Sequence, residues 1–234
     1  MRLDRFLSET TPLTRSLAKR ALKAGDVALN GEPVKQGARQ IDPQADVVTW
    51  QGEPLALLGK RYLMLHKPPG VECTARRGLY PRAIDLLDVP DAERLQPVGR
   101  LDVDTTGLLL MTDDGQWLHR ITAPRRRRDK VYRATLAEPL EGEAASRAVA
   151  RVAEGLWLDG DDTPTLPASL RMLAPFEAEL AISEGRYHQV KRVFGALGNR
   201  VVALHRRAIG PLELDAALAP GEWRALAADE IALF

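Results

Sequence analysis

The sequence has a single cysteine, no long apolar run and almost no net charge. The lone Cys73 excludes a disulfide within the chain and suits a reducing compartment such as the cytosol. No apolar stretch approaches the roughly 20 residues that a membrane-spanning helix needs. The chain starts Met1-Arg2-Leu3-Asp4, without the apolar segment of a secretion signal. We therefore expect a cytoplasmic protein that has no membrane partner.

Sequence patterns for cofactors are also missing. No group of His and Cys residues has the spacing of metal ligands, and no glycine pattern of a P-loop or a dinucleotide-binding fold occurs. We therefore expect a site that contains no metal and needs no cofactor. What is present is the composition of a folded protein. Its 234 residues are 45% hydrophobic and 28% charged, enough for one large domain or two smaller ones.

Charge is unevenly distributed along the chain although the net charge is only +1. Residues 1–24 contain six Lys or Arg and two acids, residues 120–133 contain seven against Asp129, and residues 186–207 contain six against none. The acidic residues gather at 141–162 and near the C-terminus. Segregation of this kind can place a basic face on a nearly neutral protein, which suits a nucleic-acid partner.

The first 58 residues have the pattern of a small domain that combines a helix with hairpins. Apolar residues recur with helical spacing over residues 14–24, between Thr14 as a candidate N-cap and Gly25 as a candidate helix stop. Further along we expect, in order, a strand, a tight hairpin turn, a second strand and a break: 27–29, 30–31, 46–50 and 51–54.

One face of the predicted helix 14–24 carries Arg15, Lys19 and Lys23, four residues apart. Positive charge at this spacing suits contacts to RNA phosphates, and such contacts would make binding strongly salt-dependent. Three further arginines would widen the basic surface: Arg2, Arg5 and Arg20. The alternative is an ordinary solvated helix face, and the charge pattern alone does not decide between the two.

Residues 59–234 alternate strand patterns with isolated helices. Strand patterns occur at 61–66, 107–112, 130–136 and 177–183. Helix patterns occur at 116–122, 143–154 and 188–197. This succession predicts an α+β fold with a largely antiparallel mixed sheet, flanked by helices and loops.

The most informative stretch is residues 99–115, in which a polar loop leads into an apolar strand that ends at an Asp-Asp-Gly turn. The loop places two carboxylates, Asp102 and Asp104, beside Arg100. By composition alone they are more typical of ordinary turn residues, so this alternative stays open here.

Residues 2–7, the helix 14–24 and the run 25–31 together resemble the S4-like RNA-binding domain. The resemblance covers about the first 50 residues. It implies an RNA partner and leaves the reaction undefined.

The rest of the chain resembles the pseudouridine synthases, in the branch that modifies ribosomal RNA and begins with an S4-like domain. Residues 99–115 match the central motif of that family. Three other elements match in order: His66-Lys67-Pro68-Pro69-Gly70, Lys130-Val131-Tyr132 and residues 183–194. One departure is His66, where the branch often has Asn; we expect a packed or surface histidine there.

The resemblance implies that Asp102 is the catalytic carboxylate and that Asp104 is structural. It implies that Tyr132 stacks on a flipped base, although Tyr132 could also simply pack within its strand. Lys191 would be the cation that keeps Asp102 ionised, with Arg192 as the second choice for this role. RNA contacts are implied for three arginines, of which Arg100 could instead pair locally: Arg100, Arg186 and Arg192. The basic run 125–128 would steer phosphate, or form a solvated loop.

The third motif, and the turn after the central strand, are similar to those of branch members that modify small-subunit RNA. This implies isomerisation of a uridine to pseudouridine in 16S ribosomal RNA, at uridine 516. The expected partner is that RNA within a partly assembled small subunit, and we expect a monomer. Two alternatives stay open: an enzyme for large-subunit ribosomal RNA or transfer RNA, and a non-catalytic assembly factor that only binds RNA.

Overall fold

A computed structural model of the protein describes residues 1–57, 59–126 and 128–234, so Leu58 and Arg127 lie outside the described residues. The chain divides into two units, Met1–Gly59 and Lys60–Phe234. In the described ranges, no helix has the length and apolar character needed to cross a bilayer.

The first unit contains two helices, α1 (Leu3–Thr10) and α2 (Arg15–Ala24). α2 begins where the Thr14 hydroxyl accepts a hydrogen bond from the Leu17 amide at 3.3 Å, and it ends at Gly25 with φ of 87°. This confirms the helix predicted at 14–24. α1 was not predicted, because an eight-residue helix offers only one apolar cluster as a signal: Leu3, Phe6 and Leu7.

A four-stranded antiparallel sheet completes the first unit. Its strands are β1 (Val27–Leu29), β2 (Glu32–Pro33), β3 (Val48–Trp50) and β4 (Glu53–Leu55), in the order β2-β1-β3-β4. The turn at Asn30-Gly31 has both residues at positive φ and confirms the predicted hairpin. The break expected at 51–54 is wrong: Gln51-Gly52 forms a second tight turn, and the chain continues as β4.

A nine-stranded mixed sheet forms the centre of the second unit. Its strands are β5 (Tyr62–Lys67), β6 (Gln96–Pro97), β7 (Thr106–Thr112), β8 (Lys130–Leu136), β9 (Ser169–Ala174), β10 (Glu177–Ile182), β11 (Val201–Ile209), β12 (Leu212–Glu213) and β13 (Trp223–Ala225). The order across the sheet is β13-β5-β7-β11-β8-β10-β9, with β6 beside β7 and β12 beside β11. Only the β7–β11 pair is parallel among the described strands, which confirms the predicted sheet type.

β7 is buried on both faces because helices cover both sides of the sheet. Leu109 and Met111 enter one core, and Leu108 and Leu110 enter the other, as expected from the alternation of side chains along a strand. Two helices contribute to the first core: α4 (Gly142–Glu154) and α5 (Gln189–Ala196). Two others contribute to the second core: α3 (Gly115–Thr122) and α6 (Ala228–Ala232).

The four strands and three helices predicted for this unit are present, with ends that differ by at most one residue. Two long strands, β9 and β11, were not predicted. β11 contains His205, Arg206 and Arg207, so its sequence indicates a basic segment more strongly than a strand. It nevertheless lies between β7 and β8, next to the loop 99–105.

Gly107 permits β7 and β11 to approach closely. Its φ is +106°, and a Cβ at this position would lie 2.3 Å from the Arg206 carbonyl oxygen. Only glycine fits such a backbone contact without displacing a strand. This contact sets the position of Arg206 relative to the start of β7.

Candidate active site

The loop that carries Asp102 is attached to the fold on both sides of that residue. Before it, Leu101 is buried and its amide donates to the Cys73 Sγ at 3.4 Å. After it, the Val103 carbonyl accepts from the Gly70 amide at 2.8 Å, and the Thr105 amide donates to the Asp102 carbonyl at 3.1 Å. The Asp102 carboxylate therefore projects from a backbone with few alternative conformations, and its side chain is 26% exposed.

Lys67, at the end of β5, stabilises the same loop by binding its backbone carbonyls. Its side chain is fully buried, and Nζ donates to the carbonyls of Pro68, Val103 and Thr105 at 3.0, 3.1 and 2.8 Å. Burial lowers the pKa of Lys67, an effect that nearby Cys73 and the two loop carboxylates oppose. The sequence pattern assigned no role to this lysine; the structure shows that it binds the loop backbone on both sides of Asp104.

Lys191, from the first turns of α5, contacts both carboxylates. Its Nζ lies 3.2 Å from Asp102 Oδ2, and 2.6 and 2.9 Å from Asp104 Oδ1 and Oδ2. The hydrogen bond from Lys191 holds the pKa of Asp104 below its usual value. Partial burial lowers the pKa of Lys191, but the bonds to the two carboxylates outweigh it, so the net shift is upward. The expected Lys191–Asp102 contact is present, and Asp104 shares the ammonium.

A cavity of about 820 Å³ opens beside this cluster and is lined by Asp102, Tyr132, His188 and Lys191, among others. Tyr132, on β8, is 8% exposed and pairs across the sheet with Leu180 and Arg206. The ring thus both packs in the core and contributes to the cavity wall. A flat base entering the cavity would meet an aromatic side chain beside a carboxylate.

Three cations line the cavity and have no acidic side chain within 4.0 Å in the part of the chain that the structure describes. Arg206 is 3% exposed; its Nε donates to the Leu108 carbonyl at 2.8 Å, and its Nη2 has no partner within the described residues. Lys130 is half-buried, and burial lowers its pKa. Arg100 is exposed at the rim. Since buried cations are normally paired, this arrangement favours a ligand that carries negative charge. Sequence analysis missed Arg206 and Lys130, although the Lys-x-Tyr element contains Lys130.

The two arginines of the third motif are paired with acidic residues of the protein. Arg186 donates to Glu184, Asp161 and the carbonyls of Thr163 and Pro164 at 2.6–3.1 Å. Arg192 pairs with Asp161 at 2.7 Å. These bonds tie the segment 159–164 to the start of α5. The geometry gives no support to the expected RNA contacts of Arg186 and Arg192. Both arginines instead stabilise the segment 159–164.

His188 is a further residue at this site that was not predicted from the sequence. Its Nε2 lies 3.4 Å from Asp102 Oδ1, and its backbone has φ of 45°, in the left-handed region that few non-glycine residues adopt. The only sequence signal was its place within the third motif, directly before α5 and three residues before Lys191. Histidine at a strained backbone position beside a carboxylate is typical of functional sites.

The basic residues expected to bind RNA in the first unit fall into two groups. Arg2 pairs with Asp4 at 2.6 Å, and Arg5 pairs with Glu9 at 2.7 Å. The other four are exposed and have no acidic side chain within 4.0 Å in the described ranges: Arg15, Lys19, Arg20 and Lys23. They remain candidate phosphate contacts on α2 and its start.

Other sequence-based expectations are met to different degrees. His66 is half-buried, with Nδ1 at 2.7 Å from the Leu218 carbonyl and its ring against His205, so it is the packed histidine expected. In the run 125–128, Arg127 lies outside the described residues, and the Arg128 guanidinium lies over the Phe234 ring. No cluster of three metal-binding side chains occurs among residues 1–57, 59–126 and 128–234, and the expectation of a metal-free, cofactor-free site stays a prediction.

Two family models match this chain. The model described as RNA pseudouridylate synthase matches residues 61–196, and the S4 domain model matches residues 1–47. The first covers more than half of the sequence and includes the loop of Asp102, β8 and α5.

Curated relatives match over the full length. Proteins named ribosomal small subunit pseudouridine synthase A are 51% identical in Pasteurella multocida, covering 100% of this chain and 99% of the relative, and 46% identical in Escherichia coli, covering 99% of both. A solved structure titled as the crystal structure of pseudouridylate synthase covers 100% of both chains, with 48% identity and a TM-score of 0.70.

Proposed function

Because the chain belongs to the RNA pseudouridylate synthase family, we propose that it converts a uridine of small-subunit ribosomal RNA to pseudouridine with Asp102 as the reacting carboxylate. The observation that carries the proposal is the position of Asp102. Its carboxylate faces a cavity beside Tyr132 and contacts Lys191 and His188.

The reaction breaks the N1–C1′ bond, turns the uracil and forms a C5–C1′ bond. The C5 hydrogen leaves as a proton, N1 gains a proton, and no electrons are gained or lost overall. An ionised carboxylate can attack C1′ and be displaced by C5, or it can remove the C2′ proton and return it. Either route needs one carboxylate near the ribose, and both are compatible with Asp102.

The neighbouring residues supply what the carboxylate lacks. A charge enclosed with a base tends to take up a proton, and the Lys191 ammonium opposes this by favouring the ionised form. Extrusion of the uridine costs a few kcal/mol, and stacking on the Tyr132 ring would recover ~1–3 kcal/mol. Arg100, Lys130 and Arg206 would attract the phosphates on either side of the extruded nucleotide.

We propose that residues 1–58 bind RNA and that residues 59–234 catalyse the reaction. The support for the first part is the S4 domain match together with four exposed basic residues: Arg15, Lys19, Arg20 and Lys23. The names of the relatives support small-subunit RNA as the substrate. We propose uridine 516 of 16S RNA as the target, a partly assembled subunit as the substrate particle, a monomeric enzyme and a cytoplasmic location.

The test compares pseudouridine maps of ribosomal RNA from cells that lack the protein and cells that express wild type or Asp102→Asn. We expect one small-subunit site to lose its modification in the deletion strain, to regain it with wild type and to remain unmodified with Asp102→Asn. The Asn variant should still bind RNA, which controls for misfolding. A lost site in large-subunit RNA would contradict the substrate, and modification by Asp102→Asn would contradict the carboxylate assignment.

A further inference from the structure

Tyr187 is an exposed aromatic side chain at the mouth of the cavity that contains Asp102. Its side chain and backbone together are 76% exposed, which is unusual for a tyrosine in an ordered segment. The ring stacks on His188, with centroids 3.8 Å apart and planes inclined by 20°. Both residues line the cavity. One face of the tyrosine ring is therefore covered by the histidine, and the other is open.

The backbone that carries this stacked pair is well fixed. The Tyr187 carbonyl accepts from Arg192 Nη1 at 3.3 Å, and the Arg186 amide donates to the Gln189 side chain at 2.9 Å. Arg186 itself is bound to the segment 159–164. A rigid aromatic surface loses little conformational freedom when a ligand stacks on it. The network that occupies Arg186 and Arg192 thus prepares the position of Tyr187.

The order of groups along the cavity wall indicates what would cover the open face. His188 contacts Asp102 through Nε2, and Tyr187 stacks on the face of the same imidazole ring. When the ribose of the reacting uridine is at Asp102, the neighbouring nucleotides of the RNA are close to the cavity wall that carries this stacked pair. Nucleobases stack on exposed aromatic rings irrespective of their identity.

We propose that Tyr187, stacked on His188, binds the base of a nucleotide adjacent to the target uridine. The inference rests on the proposed function and adds a second base-binding position to it. Tyr132 would receive the extruded uracil, and Tyr187 would receive the neighbouring base outside the pocket. His188 acts as a positioning residue, since it supports the tyrosine ring and contacts Asp102 with the same imidazole.

The test uses short RNA substrates that contain the target uridine, with either normal flanking bases or one abasic flanking position. The variants are Tyr187→Ala, Tyr187→Phe and, as a matched control, Phe176→Ala. Phe176 is an exposed aromatic residue that does not line the cavity. We expect Tyr187→Ala to raise KM on intact RNA by roughly 5- to 150-fold, the equivalent of one stacked base, with a smaller change in kcat. Tyr187→Phe and Phe176→Ala should stay within about twofold of wild type.

The abasic substrates distinguish base stacking from a structural role of Tyr187. If Tyr187 binds the neighbouring base, wild type and Tyr187→Ala should have similar KM values for one of the abasic RNAs. An equal effect of Tyr187→Ala on intact and abasic RNAs, or no effect on either, would overturn the inference.

A fluorescent 2-aminopurine at the flanking position gives a second readout that does not depend on turnover. Stacking on Tyr187 should quench its emission on binding to wild type and to Asp102→Asn, and not on binding to Tyr187→Ala. If wild type fails to convert the short RNA, quenching still decides whether Tyr187 binds a base, and the pseudouridine maps from cells decide the proposed function separately. Quenching that is unchanged in Tyr187→Ala would refute the second base-binding position.

Discussion

The Lys191 ammonium contacts the carboxylates of both Asp102 and Asp104. Replacing Asp104 by Asn tests which of the two carboxylates the reaction needs. The shortest contact of Nζ is to Asp104, at 2.6 Å, whereas Asp102 lies at 3.2 Å. Distance alone would select Asp104 as the functional partner. Exposure argues the other way, because the Asp104 side chain is 71% exposed and that of Asp102 is 26% exposed. Asp104→Asn removes the charge and keeps the size of the side chain.

The expected effect of Asp104→Asn is small. An ion pair with a carboxylate this exposed contributes ~0.2–1 kcal/mol, which corresponds to a change in rate of roughly 1.5- to 5-fold. The freed ammonium can then pair with Asp102 alone. Lys191→Met should have a larger effect, because at 3.2 Å and an effective dielectric constant of about 20 its attraction to Asp102 is roughly 5 kcal/mol before solvent screening. Because both groups are partly exposed and solvent screens their attraction, we expect Lys191→Met to raise the activation free energy by ~1–3 kcal/mol, which lowers kcat roughly 5- to 150-fold.

Single-turnover assays with RNA that carries tritium at C5 of uridine measure these rates, because the C5 hydrogen is released when the new bond forms. Wild type, Asp104→Asn, Lys191→Met and Asp102→Asn are compared at saturating enzyme. We expect Asp102→Asn to lower the single-turnover rate at least about a thousandfold, because it removes the reacting group. If Asp104→Asn is as inactive as Asp102→Asn, the assignment of the two carboxylates is wrong. A Lys191→Met enzyme that reacts at the wild-type rate would refute the role of the cation.

Three further predictions concern stability and RNA binding. Burial raises the pKa of Asp114, but hydrogen bonds from a tyrosine hydroxyl and from two amides at the start of α3 outweigh this effect and lower the pKa to about 2. At pH values above 3.8, the ordinary pKa of an aspartate, the ionised carboxylate therefore stabilises the fold. That contribution should be lost as the pH falls towards 2, so that Asp114→Ala, destabilised by ~1–2 kcal/mol at neutral pH, melts like wild type in acid. Gly107→Ala should lower the free energy of unfolding by at least ~3 kcal/mol, because its Cβ would lie 2.3 Å from the Arg206 carbonyl at φ of +106°; an unchanged melting temperature would contradict this. Lys19→Ala combined with Lys23→Ala should reduce the slope of log affinity against log salt by about 1.4 at unchanged circular dichroism, and an unchanged slope would exclude them as phosphate contacts.

The parts of the site that could be predicted from sequence are those coded by continuous segments. β7 and β8 are apolar or alternating runs, so their existence and the loop before β7 follow from local pattern. The third motif predicts a helix at 188–197, and the structure has α5 at Gln189–Ala196. Resemblance to a family then placed Lys191 near Asp102, a pair separated by 89 positions, which no local pattern would have related.

The parts that could not be predicted depend on pairing between distant segments. Arg206 enters the cavity only because β11 inserts between β7 and β8, and this requires the backbone contact with Gly107. The partners of Arg186 and Arg192 in the segment 159–164 lie 22–33 positions away, and this irregular segment has no pattern of its own. Charge counting therefore treated these three arginines alike, although two are paired and one is not.

The low net charge of the protein is consistent with RNA binding once each cation is considered with its partners. Lys67 is surrounded by carbonyl oxygens, and Lys191 is neutralised by two carboxylates. Within the described part of the cavity wall, Arg206 and Lys130 have no acidic partner, so their field acts on whatever enters the cavity. Because Coulomb energy depends on distance and burial and not on totals, one buried and one half-buried cation without acidic partners contribute more to binding a phosphate than many paired surface arginines. The location of unpaired charge, and not its sum, is what relates this sequence to an RNA substrate.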